Sequence, residues 1–152
     1  MTFEVIFLDT NVVIAALDPK DLYHQAAVAF LEAHASDPLV LPAAVYAEVL
    51  AVPRAGLVKE FLDAYRLRPV FAGLESPEVW ELAAERFARY AENRRKSGKQ
   101  GPRRILADFL IGAQALVQPD TDYVPALATL DVRFFKIYFS ELKIYNLLAL
   151  DG

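Results

Sequence analysis

Short runs of hydrophobic residues alternate along the chain with longer segments in which hydrophobic residues recur every three or four positions. Short runs are typical of strands buried on both faces of a sheet, and the longer periodic segments are typical of amphipathic helices. The short runs predict five strands, at residues 5–8, 39–41, 68–72, 124–130 and 143–148. Because strands that alternate with helices form parallel sheets, we expect an α/β fold with helices on both faces of the sheet.

The periodic segments predict helices at residues 11–17, 22–35, 43–51, 58–65, 77–96, 103–117 and 132–139. Ser76 and Pro77 mark the start of the longest one, because Ser is a favoured N-cap and Pro is tolerated at the first helical position. Pro69 places the third strand at an edge of the sheet. The chain contains no internal repeat and no linker long enough to divide it, so we expect one domain spanning residues 1–152.

The composition narrows the class of protein. More than half of the residues are hydrophobic, which excludes a disordered chain. The absence of Cys excludes disulfides, thiolate zinc sites and Cys nucleophiles. No apolar run reaches the length of a membrane span, and the first residues do not resemble a secretory signal. We therefore expect a cytoplasmic protein with no membrane partner.

Positive charge is concentrated in one part of an otherwise acidic chain. The net charge is −4, yet eight of the 16 Lys and Arg residues lie between positions 86 and 104, where Glu92 is the only acid. Such an asymmetry is typical of a surface that contacts a polyanion. A solvated helix end followed by a loop has the same composition, and charge alone does not separate the two interpretations.

Four acidic residues stand out, three because they interrupt hydrophobic stretches and one because it ends a predicted strand. Asp9 is the only charged residue from position 5 to 17, Glu48 from 38 to 53, and Asp108 from 105 to 119, while Asp131 ends the fourth predicted strand. A buried carboxylate needs a hydrogen-bond donor, a cation or a metal. Helix capping alone would account for Asp9 and Asp131, because Asp is a favoured N-cap. It does not explain Glu48 and Asp108, which are predicted to lie inside helices.

The predicted topology brings these acids together. Ligands of open α/β sheets bind beyond the carboxyl ends of the strands, where Asp9 and Asp131 are expected to lie. At an effective dielectric constant near 20, two like charges about 4 Å apart repel by about 4 kcal/mol. Hard divalent cations relieve that repulsion, and ligation by oxygen alone suits Mg²⁺ or Mn²⁺. The residues therefore predict a metal site.

Four segments of the chain resemble the motifs of the PIN-domain family, in the family's order and with its approximate spacing from residue 5 to about 148. Residues 7–14, Phe-Leu-Asp-Thr-Asn-Val-Val-Ile, resemble the opening motif. Residues 47–50 contain the helical Glu, and residues 107–115 contain an Asp followed by Leu-Ile-Ala-Ala-like residues. Residues 128–134, Ala-Thr-Leu-Asp-Val-Arg-Phe, match the Thr-x-Asp-x-x-Phe segment. The matched acids are Asp9, Glu48, Asp108 and Asp131.

The resemblance implies a five-stranded parallel sheet of order 3-2-1-4-5 and metal-dependent cleavage of RNA phosphodiester bonds. It also implies that the four matched acids are the catalytic and metal-binding residues. Thr10, Asn11 and Thr129 are expected to orient carboxylates or water, or else to make local turn and cap hydrogen bonds. RNA binding is expected from the basic residues Arg94, Arg95, Lys96, Lys99, Arg103 and Arg104.

Small stand-alone PIN proteins of prokaryotes are mostly VapC-type toxins, so the resemblance also implies a short antitoxin protein as partner and a homodimer. One departure is Arg133, where many relatives carry a further acid, so a second metal is expected to bind weakly or to need substrate oxygens. Two alternatives stay open. One is a housekeeping nuclease without an antitoxin, and the other is a non-catalytic binding module, against which the intact set of acids argues.

Overall fold

The computed structural model describes residues 3–53, 55–98, 103–119 and 122–149, and within them strands and helices alternate. The strands are β1 (Phe3–Leu8), β2 (Leu39–Pro42), β3 (Arg68–Val70), β4 (Tyr123–Thr129) and β5 (Lys143–Asn146). The helices are α1 (Thr10–Leu17), α2 (His24–Ala33), α3 (Ala43–Leu50), α4 (Ala55–Ala64), α5 (Pro77–Lys96), α6 (Leu106–Leu116) and α7 (Val132–Tyr138), and a 3₁₀ turn covers Leu147–Ala149. Each predicted element is therefore present, with ends that differ by a few residues.

All five strands lie in one parallel sheet of order β3-β2-β1-β4-β5, which confirms the predicted order. β1 pairs with β4 along its whole length, from Phe3 opposite Tyr123 to Leu8 opposite Ala128. Since β1 and β4 run in the same direction and in register, the residues that follow them emerge side by side at one edge of the sheet. β3, which contains Pro69, is an edge strand as predicted.

The core lies on both faces of the central strands. Ile6 and Leu8 of β1 and Leu127 of β4 have no solvent exposure, as expected for parallel strands covered by helices on both sides. Gly112 brings α6 close to α7, because a Cβ atom at this position would lie 2.6 Å from the ring of Phe139. This close approach fixes the position of α6 above the sheet.

The difference from the predicted elements that affects the acids concerns α6, which begins at Leu106 and not at residue 103. Ile105 is extended (φ −120°, ψ 165°), and its N–H donates to Asp108 Oδ2 at 3.1 Å. Arg103 and Arg104 therefore precede the helix, and Asp108 lies in its first turn. Within the described part of the chain, no helix combines the length and hydrophobicity that a membrane span requires.

Candidate active site

A cavity of about 580 Å³ opens at the carboxyl ends of β1 and β4, where the strand order reverses. All four acids that the sequence singles out line it, together with a fifth acid that the sequence reasoning missed. The lining residues are Asp9, Thr10, Asn11, Ile14, Asp21, Tyr23, Glu48, Asp108, Leu130 and Asp131. We call this space the acidic cavity.

Asp9 directly follows β1 and is the N-cap of α1. Its Oδ1 accepts a hydrogen bond from Thr10 N (2.8 Å), and its Oδ2 accepts one from Thr129 Oγ1 (2.7 Å). The side chain is buried, and burial raises the pKa of the Asp9 carboxyl to about 6. The two hydrogen bonds act in the opposite direction, and the negative charges of Asp131 and Asp108 reinforce the increase. Asp9 is thus both a helix cap and a destabilised buried carboxylate.

Asp131 follows β4 and precedes α7, but its side chain makes no capping hydrogen bond to that helix. It is instead bound to Arg104 by two hydrogen bonds, from Nη1 to Oδ2 at 2.7 Å and from Nη2 to Oδ1 at 3.3 Å. The Arg104 guanidinium also lies 4.4 Å from the ring centroid of Phe134. The hydrogen bonds with Asp131 raise the pKa of Arg104 further, so this cation is permanent. Capping therefore does not explain Asp131.

Glu48 corrects one sequence interpretation, because the residue is exposed and not buried. Its neighbours Val45 and Val49 are buried in the core, whereas Glu48 lines the acidic cavity. Its Oε1 accepts a hydrogen bond from Thr10 Oγ1 at 2.9 Å. A lone charge in a hydrophobic segment thus marks a position at which the helix meets solvent.

Asp108 corrects a second interpretation. The sequence places it inside a helix, where capping would not apply, but α6 begins only two residues before it. Its hydrogen bond from Ile105 N is a local contact of the first helical turn. The side chain is half-buried and lines the acidic cavity. Asp108 therefore stabilises the start of α6 and also adds a carboxylate to the cavity.

The three polar residues predicted to orient the acids differ in their contacts. Thr10 contacts both Asp9 and Glu48. Thr129 Oγ1 donates to Asp9 and accepts from Asp131 N at 2.9 Å, so one hydroxyl links two of the acids. The Asn11 side chain has a different partner: its Oδ1 accepts a hydrogen bond from Leu130 N. This bond ties α1 to the end of β4.

Asp21 is the acid that sequence reasoning missed. It lies in the connection between α1 and α2, and its Oδ1 accepts a hydrogen bond from Tyr23 N at 2.8 Å. Asp18 and Lys20 are nearby in the sequence, so Asp21 is not a lone charge and carries no such signal. Only the folded chain shows that this loop reaches the carboxyl ends of the strands.

The donor set of the cavity suits a hard cation. The lining acids and hydroxyls offer oxygen alone, and five carboxylates are opposed by the single guanidinium bound to Asp131. Among the described residues, however, no three Asp, Glu or His side chains are already arranged to hold a metal ion together. Each of the four matched acids already accepts a hydrogen bond from a protein donor, so a cation would compete with these donors for the carboxylate oxygens.

The basic residues lie beside this cavity but are not equally accessible. Arg86 is buried, where it binds Glu141 and the Tyr138 carbonyl, so it does not belong to a polyanion-binding surface. Arg95 and Lys96 form surface ion pairs with Glu92, and Arg103 is exposed. Lys99 lies outside the described residues. A second cavity of about 300 Å³, which we call the arginine cleft, is lined by Phe87, Tyr90, Ala91, Arg94, Arg95, Arg103 and Arg104.

Solved structures with the same fold align with almost the whole length of this chain. VapBC2 from Rickettsia felis, bound to a DNA fragment from its promoter, matches with a TM-score of 0.58 and 17% identity, over 93% of this chain and 98% of that one. FitAcB from Neisseria gonorrhoeae matches with a TM-score of 0.57 and 22% identity, over 95% and 99%. DNA-bound VapBC from Salmonella typhimurium matches with a TM-score of 0.57 and 14% identity, over 97% and 99%.

A comparison with curated protein sequences gives no match. The family comparison does, and it agrees with the observed fold. Residues 6–140 match the family described as PIN domain. This match covers most of the 152 residues. The chain therefore belongs to the PIN domain family.

Proposed function

We propose that the protein is a Mg²⁺- or Mn²⁺-dependent endoribonuclease whose metal is held by Asp9, Glu48, Asp108 and Asp131. The observation that carries the proposal is that these four acids, far apart in sequence, line one cavity at the carboxyl ends of β1 and β4. Members of the PIN domain family are nucleases, which supports hydrolysis of a phosphodiester bond as the reaction.

The side chains around the cavity prepare it for this chemistry. A divalent cation, when bound, supplies Lewis acidity: it increases the acidity of water and stabilises negative charge on a phosphate group. Thr129 and the Thr10 N–H fix both oxygens of Asp9, and Thr10 Oγ1 directs Glu48 toward the same space. Donors of this kind orient carboxylates before they bind a metal.

The neighbouring arginine cleft supports a nucleic acid as substrate. Arg94, Arg95 and Arg103 line the cleft, and Arg104 connects it to Asp131. A guanidinium matches the oxygens of a phosphate group with two parallel hydrogen bonds, so such a cluster suits a polynucleotide backbone. We propose that Arg94, Arg95, Lys96, Lys99, Arg103 and Arg104 bind the RNA strand next to the scissile phosphate.

The biological role that we propose is that of a VapC-type toxin, held inactive by a short antitoxin protein and forming a homodimer. The supporting observation is that two of the three similar structures are VapBC assemblies and the third is FitAcB, each matched over at least 93% of this chain. Co-expression with the product of the adjacent gene tests the role. A toxin requires a short neighbouring protein that binds the nuclease and blocks cleavage, whereas a housekeeping nuclease requires none.

Cleavage assays with matched variants test the reaction. Purified protein is incubated with total bacterial RNA and with end-labelled single-stranded and stem-loop RNAs, with Mn²⁺ or Mg²⁺ and with EDTA. We expect cleavage that stops in EDTA and is lost in Asp108→Asn. Asp63→Asn, which removes an exposed acid of α4 outside the cavity, should cleave like the wild type. Cleavage that survives EDTA or Asp108→Asn, or no cleavage of any RNA, would contradict the proposal.

A further inference from the structure

The Arg104–Asp131 ion pair lies between the two cavities. Asp131 lines the acidic cavity, and Arg104 lines the arginine cleft. The side chains are 19% and 42% exposed, so the pair is partly shielded from water. Among the described residues, no other side-chain cation is bound to any of the four acids that we propose as metal ligands.

Both oxygens of Asp131 are engaged by the same guanidinium. A divalent cation that binds Asp131 therefore meets a positive charge already in place on the same carboxylate, and repulsion between the two cations favours release of Arg104. The other three acids are held by hydroxyl or backbone N–H donors, which carry no net charge. Competition between cations is thus a property of Asp131 alone among the four.

A guanidinium released from Asp131 enters an electropositive space. Arg94, Arg95 and Arg103 line the same cleft, and Arg95 is paired with Glu92, so one more cation there is repelled by the neighbouring guanidinium groups unless an anion is present. The Arg104 N–H donates a hydrogen bond to the Tyr90 hydroxyl at 2.8 Å, which anchors the main chain at this residue. Release of the guanidinium therefore requires only that the side chain turns. A backbone phosphate is the anion that suits both the charge and the geometry of a guanidinium.

Resting on the proposed function, we propose that a divalent cation displaces Arg104 from Asp131 and that the released guanidinium binds an RNA backbone phosphate in the arginine cleft. Arg104 thereby couples the two binding events. Because such coupling is reciprocal, the cation increases the affinity for RNA by the same factor by which RNA increases the affinity for the cation.

Binding measurements on Arg104→Gln test the first half. Isothermal titration with Mn²⁺ in the absence of RNA should give an affinity about three- to tenfold higher than that of the wild type, because the competing cation is gone. Arg104→Lys keeps the charge without the two-point contact and should fall between the two. Arg103→Gln, the same change one residue away in the same cleft, should leave the Mn²⁺ affinity unchanged. Far-UV circular dichroism and melting curves verify that each variant is folded.

The second half is tested by the fluorescence anisotropy of a labelled single-stranded RNA 12-mer, read before gels detect cleavage. Mn²⁺ should increase the RNA affinity of the wild type by a larger factor than that of Arg104→Gln. Arg103→Gln should bind RNA more weakly but respond to Mn²⁺ as the wild type does. An unchanged or lower Mn²⁺ affinity in Arg104→Gln, or an equal response of its RNA affinity to Mn²⁺, would overturn the inference.

These outcomes are distinguishable from failure of the proposed function. A wild type that cleaves RNA with Mn²⁺ while Arg104→Gln binds Mn²⁺ no more tightly retains the nuclease proposal and rejects only the role of Arg104. A wild type whose Mn²⁺ binding is absent, or is unaffected by Asp108→Asn, rejects the metal site and with it the coupling.

Discussion

Asp9 is the only one of the four acids that is buried, and its environment opposes its own charge. Burial raises the pKa of its carboxyl from the usual 3.8 to about 6. Between these two values the folded protein binds a proton that the unfolded chain does not, so stability falls as the pH rises through this range. Above about pH 6 the penalty is constant, at about 3 kcal/mol. A bound cation would remove this penalty.

Asp9→Asn should therefore be stabilised relative to the wild type, and the difference should depend on pH. In EDTA, the melting temperature of the variant minus that of the wild type should increase from pH 4 to about pH 6.5 and then level off. Differential scanning fluorimetry in matched buffers measures it, with Asp63→Asn as the exposed control. A difference that does not change with pH would show that the Asp9 pKa is not raised.

The sequence identifies single residues of this site where their charge is isolated. Asp9, Glu48 and Asp108 are found in this way, and Asp131 is found because it ends a predicted strand. Asp21 is not found, because other charged residues lie close to it in the sequence. The partner of Asp131 is not found either, because Arg104 is 27 residues away, in a stretch whose charge indicates a polyanion-binding surface or a solvated segment and not an ion pair with Asp131. Contacts across such distances depend on the packing of α6 against β4, which no local pattern encodes.

At the level of elements, strands and helices follow from hydrophobic patterning because the parallel sheet is covered on both faces. The strand order came from the family resemblance, since periodicity does not determine which strands pair. On α5 the hydrophobic pattern misses one buried position, because Arg86 lies on the same face as Val79 and Ala83 and is buried with them. Its charge groups Arg86 with the basic stretch of the sequence, although its spacing from Val79 and Ala83 is that of a core position. The buried face of α5 is therefore connected to the turn between α7 and β5 by the ion pair of Arg86 with Glu141.

Arg86 should contribute to stability through this connection. Its guanidinium binds Glu141 and donates to the Tyr138 carbonyl at 2.7 Å, and the contact with Arg86 holds the pKa of Glu141 well below its usual value. Arg86→Met removes the partners of both groups and should lower the free energy of unfolding by about 1–3 kcal/mol, since Glu141 remains half exposed. Urea denaturation measures this. Arg89→Gln, which breaks an exposed pair with Glu85, should change it by less than about 1 kcal/mol.

Gly112 should be required for the close packing of α6. Alanine normally stabilises a helix relative to glycine by about 1 kcal/mol. Here the added Cβ would lie 2.6 Å from the buried ring of Phe139, and such overpacking costs about 1–3 kcal/mol. We expect Gly112→Ala to lower the melting temperature. Gly56→Ala in α4, where a Cβ meets nothing within 4 Å, should leave it equal or higher, and similar effects of both changes would contradict the packing.

Across the whole molecule, charge is segregated although the net charge is only −4. The acidic cavity and the arginine cleft adjoin each other through one ion pair, so a polyanion and a hard cation have neighbouring sites on one surface. The overall charge therefore does not indicate the ligand. The local distribution of charge does indicate it.

RNA affinity should depend on salt through the arginine cleft. Replacing Arg94 and Arg95 with Gln should weaken binding and flatten the plot of log affinity against log salt by about one unit per lost phosphate contact. The control exchanges two exposed cations outside the cleft, Lys59→Gln with Arg66→Gln. An equal slope in both double variants would show that the cleft is an ordinary solvated surface.

The position of Mn²⁺ in crystals grown with the ion, read from its anomalous scattering, tests most directly whether the four acids form a metal site. We predict an anomalous peak in the acidic cavity, within direct or water-bridged reach of Asp9, Asp108 and Asp131, and a weaker or absent peak in Asp108→Asn. A Mn²⁺ ion found only elsewhere on the protein, or an acidic cavity without a peak at saturating Mn²⁺, would contradict the metal-dependent nuclease proposed for this chain.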